Sequence, residues 1–149
     1  EGKTFVMMYP LKPGKVQELF KNSGYEFAQA EITEPHRDYL AGTGSMQAIS
    51  ASSKNPARVM RFLNLLNTDR TLKNLVIHGI EGKHYNRVDD KTIEIIPGSG
   101  YEMHENSWTI GNVFLDDLLT TEAPDKLTAL KAFNDRAKNG ELEDKILTF

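Results

Sequence analysis

The chain has 149 residues, 39% of them apolar and 26% charged, fractions that fit a single globular domain with its own core and exclude a disordered chain. The net charge of −3 argues against a nucleic-acid-binding protein, which normally carries a basic excess. The absence of cysteine excludes thiol catalysis, cysteine-based zinc sites and disulfides. No apolar run is long enough for a transmembrane span.

The first predicted elements are a strand and a helix. Residues 4–9 have the composition of a strand and stand almost at the start of the chain, so we expect the chain to be part of a longer protein. Pro13 and Gly14 mark a turn, and Gly24 is a suitable end for the helix that follows. The apolar residues at helical spacing between them are Val16, Leu19 and Phe20.

Two more strands are predicted before the central helices. Residues 25–32 alternate apolar and polar side chains, which is the period of a half-buried strand. Residues 33–45 lack apolar rhythm and contain Pro35, Gly42 and Gly44, which indicates a loop. Residues 46–51 form a short apolar stretch that suits a buried strand.

Two helices are predicted in the middle of the chain. The first begins at Asn55-Pro56, with Asn55 as N-cap and proline in the first turn. Its predicted inner face consists of Val59, Met60, Leu63, Leu66 and Asn67. The second is predicted for residues 69–78, with Gly79 as its cap. Its predicted buried residues are Leu72, Leu75 and Val76.

The last part of the chain predicts a hairpin and further helices. Residues 83–88 and 92–96 flank Asp89-Asp90-Lys91, an arrangement typical of a β-hairpin. Residues 97–107 are predicted to be an irregular loop, and helical periodicity returns at 113–119. A final helix is predicted to open at Pro124 and to end at Gly140.

Catalytic and metal-binding constellations have no specific support in the sequence. His78, Glu81 and His84 do not converge on a helix, since the histidines are six residues apart and glycines interrupt them, so we predict no metal. The paired acids Asp89-Asp90 and Asp116-Asp117 are explained by turn chemistry and by solvation of a helix face. No Gly-x-Ser-x-Gly elbow and no complete nucleotide loop are present.

Aromatic residues in the predicted loops are the candidate ligand contacts. Tyr39, Tyr101 and the single tryptophan, Trp108, lie beside polar groups, among them His104 and Asn106. Carbohydrates are bound by aromatic faces stacked on sugar rings, with amides and carboxylates bonding the hydroxyls. These five residues are therefore the predicted site. The alternative for Trp108 is a place in the core beneath the loop.

Several blocks of the sequence resemble one family. The blocks are Lys12–Lys15 with Gly24–Phe27, then Ala48–Arg58 with Phe62–Asp69, and then Gly79–Tyr85. They resemble the C-terminal half, usually catalogued as a domain of unknown function, of family-1 extracellular solute-binding lipoproteins of bacterial ABC importers. The helix-start residues within these blocks are interpreted as structural and not as ligand contacts.

The resemblance departs from the family pattern at residues 105–112. The family usually shows Pro-Trp-Met-Phe-Gly-Asn there, and this chain keeps Trp108, Gly111 and Asn112 but lacks the preceding proline and the aromatic. The resemblance thus places Trp108 on a tryptophan that the family keeps.

The resemblance implies a fold and a function. It implies an α+β fold, a portion of the C-terminal lobe of a type II periplasmic-binding-protein-like fold, with four to five helices, a small sheet and a β-hairpin. Residues 1–149 would form a single domain and a fragment of a two-lobed protein. That protein would capture a sugar or oligosaccharide between its lobes, without cofactor or turnover.

The expected partners and location also follow from the resemblance. The partners would be a small solute, the N-terminal lobe of the parent protein and ABC permease subunits. The protein would lie on the extracellular face of the cell membrane, lipid-anchored through a part absent from this sequence. Two alternatives stay open: a free-standing protein-interaction domain of this architecture, and a small carbohydrate-acting enzyme.

Overall fold

The computed structural model describes residues 6–8, 10–37 and 45–139. The described residues form both helices and short strands, which confirms the predicted mixed α and β composition. The described elements are α1 (Lys15–Ser23), β1 (His36–Arg37), α2 (Pro56–Thr68), α3 (Arg70–His78), β2 (Tyr85–Arg87), β3 (Thr92–Ile95), two 3-10 segments (Met103–Thr109 and Val113–Leu115), β4 (Leu118–Leu119), α4 (Lys126–Arg136) and β5 (Lys138–Asn139). In the described residues, no helix has the length and apolar character needed to cross a membrane.

The chain divides into two compact units. Unit 1 comprises Glu1–Tyr39 and Glu122–Phe149, and unit 2 comprises Leu40–Thr121. The prediction that residues 1–149 form a single domain stays a prediction.

Unit 1 contains α1, α4 and a pair of short parallel strands. The predicted first helix is confirmed by α1. Helix α4 begins two residues after Pro124 and ends at Arg136, earlier than predicted, and the predicted end at Gly140 lies outside the described residues. Strand β1 pairs in parallel with β5. An ion pair of 3.0 Å between Arg136 and Glu31 joins α4 to the segment that precedes β1.

The predicted strands of the first third are wrong where the structure describes them, and β1 lies within the predicted loop at 33–45. Residues 25–32 and 46–51 have no strand structure, and neither have residues 6–8 of the predicted first strand. Tyr25 is 52% exposed and Ile32 is 76% exposed, so the alternation does not bury one face. An alternating pattern forms a strand only where a partner takes its backbone hydrogen bonds, and no described strand pairs with these segments.

In unit 2, Asp69 is both the C-cap of α2 and the N-cap of α3. The predicted N-cap of α2 is confirmed, with Asn55 Oδ1 accepting from the Arg58 N–H at 3.3 Å. The Asp69 N–H donates to the Leu65 carbonyl at 2.8 Å, and its Oδ1 accepts from the Leu72 N–H at 2.9 Å. These bonds satisfy backbone N–H and carbonyl groups that have no partner within their own helix, at the end of α2 and the start of α3.

The predicted cap of α3 is also confirmed. Gly79 has a φ of 82°, in the region that favours glycine, and its N–H donates to the Leu75 carbonyl at 3.0 Å. A Cβ at this position would lie 2.2 Å from Nδ1 of His84. That nitrogen accepts a 2.9 Å hydrogen bond from the Ile80 N–H. The block Gly79–Tyr85 is therefore a tightly built turn from α3 into the sheet.

The three-stranded sheet of unit 2 confirms the predicted hairpin. Strands β2 and β3 are antiparallel, with Tyr85 opposite Ile95. In the connecting turn, Asp89 Oδ1 accepts from the Lys91 N–H at 2.8 Å. The helix predicted for residues 113–119 is wrong in its second half. It is one 3-10 turn followed by β4, which pairs in parallel with β3 and so takes hydrogen bonds that a helix would have kept internal.

Burial in unit 2 departs from the prediction for α3. Leu75 is 50% exposed, and Leu72 and Val76 are only half-buried. The buried residues of this helix are Lys73, Asn74, Ile77 and His78. Among the described residues, the buried apolar side chains are Leu66, Ile77, Tyr85 and Ile93. The core of unit 2 is thus small, and polar groups on α3 complete it.

Candidate functional site

The candidate site lies on the 3-10 segment Met103–Thr109 of unit 2. This segment interrupts its helical geometry at Asn106, where φ is −115° and ψ is 19°. Thr109 Oγ1 donates to the Asn106 carbonyl at 2.7 Å and stabilises the kink. The region predicted to be an irregular loop therefore ends in a short, bent turn.

Trp108 is exposed on this segment. Its exposed fraction is 55%, and Asn106 is exposed beside it in sequence. Ser107 between them is buried, with 8% exposure, so the turn directs one side chain inward and its two neighbours outward. An exposed indole is an amphipathic surface suited to stacking on an apolar face of a ligand. The alternative place for Trp108, beneath the loop in the core, does not agree with this exposure.

Tyr101 and His104 are packed against α3 and the turn that follows it. The Tyr101 ring stacks on His84 with 4.9 Å between centroids and 14° between planes, and its hydroxyl donates to the Val76 carbonyl at 2.5 Å. His104 stacks on the buried ring of His78 with 6.5 Å between centroids. Both side chains are half-buried. Their described contacts are with residues of α3 and of the turn that follows it, whereas Trp108 and Asn106 are exposed.

The remaining residues singled out in the sequence have other surroundings. Tyr39 lies outside the described residues. Glu81 Oε2 pairs with Arg87 at 3.4 Å, and His78 lies edge-on to Tyr85 with 6.2 Å between centroids. Among the described residues, no group of three or more histidine, aspartate or glutamate side chains is placed to hold a metal ion.

Gly111 and Asn112 fix the end of the segment to α2. Gly111 has a φ of 67°, and a Cβ there would lie 2.3 Å from the Leu66 carbonyl oxygen. The Asn112 N–H donates to the same oxygen at 3.2 Å. Only glycine allows this close approach. Two of the residues that the chain shares with the family pattern at this point are therefore structural.

A polar cluster that the sequence prediction missed lies under the segment. Lys73 is fully buried, and its Nζ bonds to the Ser107 carbonyl at 3.0 Å. Asn74 Nδ2 donates to the Leu115 carbonyl at 2.8 Å, and its Oδ1 accepts from the Asp117 N–H at 2.7 Å. These contacts satisfy groups that burial would otherwise destabilise. The sequence carries no signal for this cluster, since α3 also contains the polar residues Arg70, Thr71 and His78.

Asp117 joins two arginines at a cleft of about 420 Å³. Its buried carboxylate accepts from Arg70 at 2.5 Å and from Arg87 at 2.9 Å. The bond from Arg87 to Asp117 raises the pKa of the Arg87 guanidinium above its ordinary value. Arg70 also donates to the Asp90 carbonyl at 2.5 Å, which connects α3 to the hairpin turn. The interpretation of Asp117 as solvating a helix face is wrong, because its side chain is buried against Arg70 and Arg87.

The comparisons with known proteins agree on one class, the solute-binding proteins of transport systems. No protein-family model matches the chain. It is 36% identical over 66 residues to a carbohydrate ABC transporter substrate-binding protein of Streptococcus pneumoniae serotype 4. That match covers 43% of this chain and 13% of the relative.

Solved structures extend the resemblance to the fold. The N-glycan transport solute binding protein NgtS of Streptococcus pneumoniae, in complex with Man5GlcNAc, matches with a TM-score of 0.53 and 27% identity over 63% of this chain and 21% of its own. Its complex with Man1GlcNAc matches with a TM-score of 0.53 and 25% identity over 67% of this chain and 24% of its own. The chain therefore resembles a portion of a solute-binding protein in sequence and in fold, as predicted. It spans less than a quarter of the length of these relatives.

Proposed function

We propose that this chain is part of the solute-binding component of a bacterial ABC importer and that the whole protein binds a sugar or oligosaccharide. The observation that carries the proposal is the likeness, in fold and in sequence, to a solute-binding protein that was crystallised with glycans. The sequence likeness to a carbohydrate transport relative supports the same class. The relatives are named for transport, and we infer a role in binding without turnover and without a cofactor.

Within this proposal, Trp108 is the principal ligand contact. Its exposure leaves an indole face available to a sugar ring, and the neighbouring Asn106 side chain offers both donors and an acceptor. We propose Tyr101 and His104, the half-buried side chains of the same region of unit 2, as secondary contacts. The Tyr101 hydroxyl already donates to Val76, so its remaining capacity toward a sugar is as an acceptor.

The proposed surroundings follow from the same class of protein. We propose that the parent protein lies at the extracellular face of the cell membrane, held by a lipid anchor outside this sequence. Its partners would be the permease subunits of the importer and a second lobe that closes over the ligand. The exposed apolar side chains on α2, among them Met60 at 58% exposure, are where we expect other parts of the parent to pack.

The test is glycan binding by the full-length parent and its variants. Titration calorimetry with a panel that includes Man5GlcNAc and Man1GlcNAc should show saturable binding without product. Trp108→Ala should weaken binding by about 1–3 kcal/mol, as the loss of an aromatic anchor does. Tyr25→Ala is the matched control, since Tyr25 is a 52% exposed aromatic outside α2 and outside the proposed site, and the affinity of this variant for glycan should be unchanged.

The alternatives predict different results. Absence of binding across the panel would favour a protein-interaction domain, and formation of product would favour an enzyme. The isolated 149-residue chain should bind glycans weakly or undetectably, because one lobe buries only part of a ligand. Micromolar affinity of the isolated chain would contradict the two-lobed arrangement.

A further inference from the structure

Lys73 on α3 is a lysine with no exposed surface, although lysine is almost never fully buried without partners. Its Nζ donates to Ser107 at two atoms, the carbonyl at 3.0 Å and Oγ at 3.1 Å. It also contacts the carbonyl of Ile110 and pairs with Asp116 Oδ1 at 3.2 Å. An ammonium group has three donors, so the two oxygens of Ser107 and the carbonyl of Ile110 occupy all of its capacity, and the Asp116 carboxylate balances its charge.

The acceptors of Lys73 lie on both sides of Trp108. Ser107 immediately precedes Trp108, and Ile110 follows it by two residues. The Ser107 hydroxyl in turn donates to Asp116 Oδ2, which joins the segment to the residues before β4. The Lys73 ammonium therefore connects α3 to the backbone of the one described segment that displays a tryptophan.

The other hydrogen bonds of this stretch are local: Thr109 Oγ1 donates to the Asn106 carbonyl, and the Ile110 N–H donates to the Ser107 carbonyl. Its regular backbone is interrupted at Asn106, and 3-10 geometry gives poorer hydrogen bonds than an α-helix. At its far end, Asn112 is bonded to Leu66. Between these two points, the Lys73 contacts fix the stretch that carries the indole. A buried ion pair is seldom required for stability alone, because well-packed apolar residues of similar volume often serve as well.

We propose that Lys73 is a positioning residue, which fixes residues 107–110 to α3 and so holds the Trp108 indole in one orientation. This positions the indole for a ligand only if Trp108 is a ligand contact, and that part rests on the proposed function. A directional ammonium group does what an apolar side chain of the same length cannot, because it bonds to carbonyls on both sides of the tryptophan.

The single tryptophan allows a direct test in this chain. The variant Lys73→Met/Asp116→Asn removes the ammonium without leaving a buried unpaired carboxylate. Time-resolved anisotropy of Trp108 should show an amplitude of nanosecond motion about twofold larger than in the wild type. Exposed Lys83 provides the control, and Lys83→Met should leave the amplitude unchanged. Thermal unfolding would establish that each variant is folded.

A second variant serves if the double variant does not fold. Ser107→Ala removes one Lys73 acceptor and the bond to Asp116. It should therefore increase the amplitude of nanosecond Trp108 motion by less than the double variant does, and it should speed amide hydrogen exchange at Ile110. Folded variants with wild-type anisotropy and exchange would overturn the positioning role, whatever their glycan affinity.

The ligand measurement separates the two proposals. In the full-length protein, the double variant should lose affinity for whichever glycan of the panel the wild type binds. A mobile Trp108 with unchanged glycan affinity would support the anchoring by Lys73 and overturn Trp108 as the sugar contact.

Discussion

Helices α2 and α3 follow one another with Asp69 alone between them, yet they pack in opposite ways. Helix α2 carries an apolar stripe, but only Leu66 on it is buried. Helix α3 buries Lys73, Asn74, Ile77 and His78, positions that share one face of a helix, and leaves Leu75 half exposed. An apolar stripe thus identifies a helix without deciding what covers it. A buried face can be polar where each polar group meets a partner.

The largest expected effect tests burial on the two helices directly. Ile77→Ala on α3 removes a side chain with no exposed surface and should lower the free energy of unfolding by about 2–5 kcal/mol. Met60→Ala on α2 should change it by no more than about 0.5 kcal/mol, since Met60 is 58% exposed. Urea unfolding of both variants gives the two values. Equal losses would show that α2 and α3 are buried alike.

A smaller effect is expected from the polar face of α3. Asp117→Ala leaves Arg70 and Arg87 without their shared carboxylate, and we expect a loss of about 1–3 kcal/mol, because both arginines keep some contact with water. Asp135→Ala is the control, since Asp135 pairs with Lys131 at the surface and should cost less than about 1 kcal/mol. Thermal melting would compare them. A loss no larger than that of the control would mean that this ion-pair cluster does not stabilise unit 2.

The N-caps of α2 and α3 should contribute similar amounts to the free energy of unfolding. Asn55→Ala removes the N-cap of α2 and Asp69→Ala that of α3, and each should cost about 0.5–2 kcal/mol. The reason is that a cap satisfies backbone N–H groups within its own helix, whatever that helix packs against. Urea unfolding again provides the measurement. If one cap variant were neutral and the other severely destabilised, capping would depend on tertiary packing.

The smallest effect concerns the hairpin turn that α3 contacts through Arg70. The Lys91 N–H, with help from Thr92, lowers the pKa of the exposed Asp89 carboxyl below its ordinary value. A lowered pKa in the folded state stabilises the protein above the unfolded pKa, and this contribution is lost as the pH falls through the folded value. Asp89→Asn keeps an acceptor for the turn but does not titrate. Its melting temperature should therefore fall less than that of the wild type on acidification from pH 5 to lower values, and identical pH profiles would contradict the assignment.

The parts of the candidate site that could be predicted are those that depend on local sequence. Trp108 and Asn106 were identified because aromatic and amide side chains occur in a stretch without apolar period, and both are exposed in the structure. Lys73 and Asp117 were missed. Their partners are distant in sequence, 34 residues for Lys73 with Ser107 and 47 for Arg70 with Asp117. No local pattern indicates such pairs.

The sequence by itself determined the features that are closed by neighbouring residues. These are the Asn55 cap, the Gly79 end of α3 and the hairpin at Asp89, where the bonds join residues no more than four positions apart. Tertiary structure alone decided the rest. It left residues 25–32 without a strand partner, turned Leu75 outward, and placed β4 where helical periodicity continued. The physical reason is that strand pairing and burial depend on what the rest of the chain brings alongside, whereas caps and turns satisfy their own backbone groups.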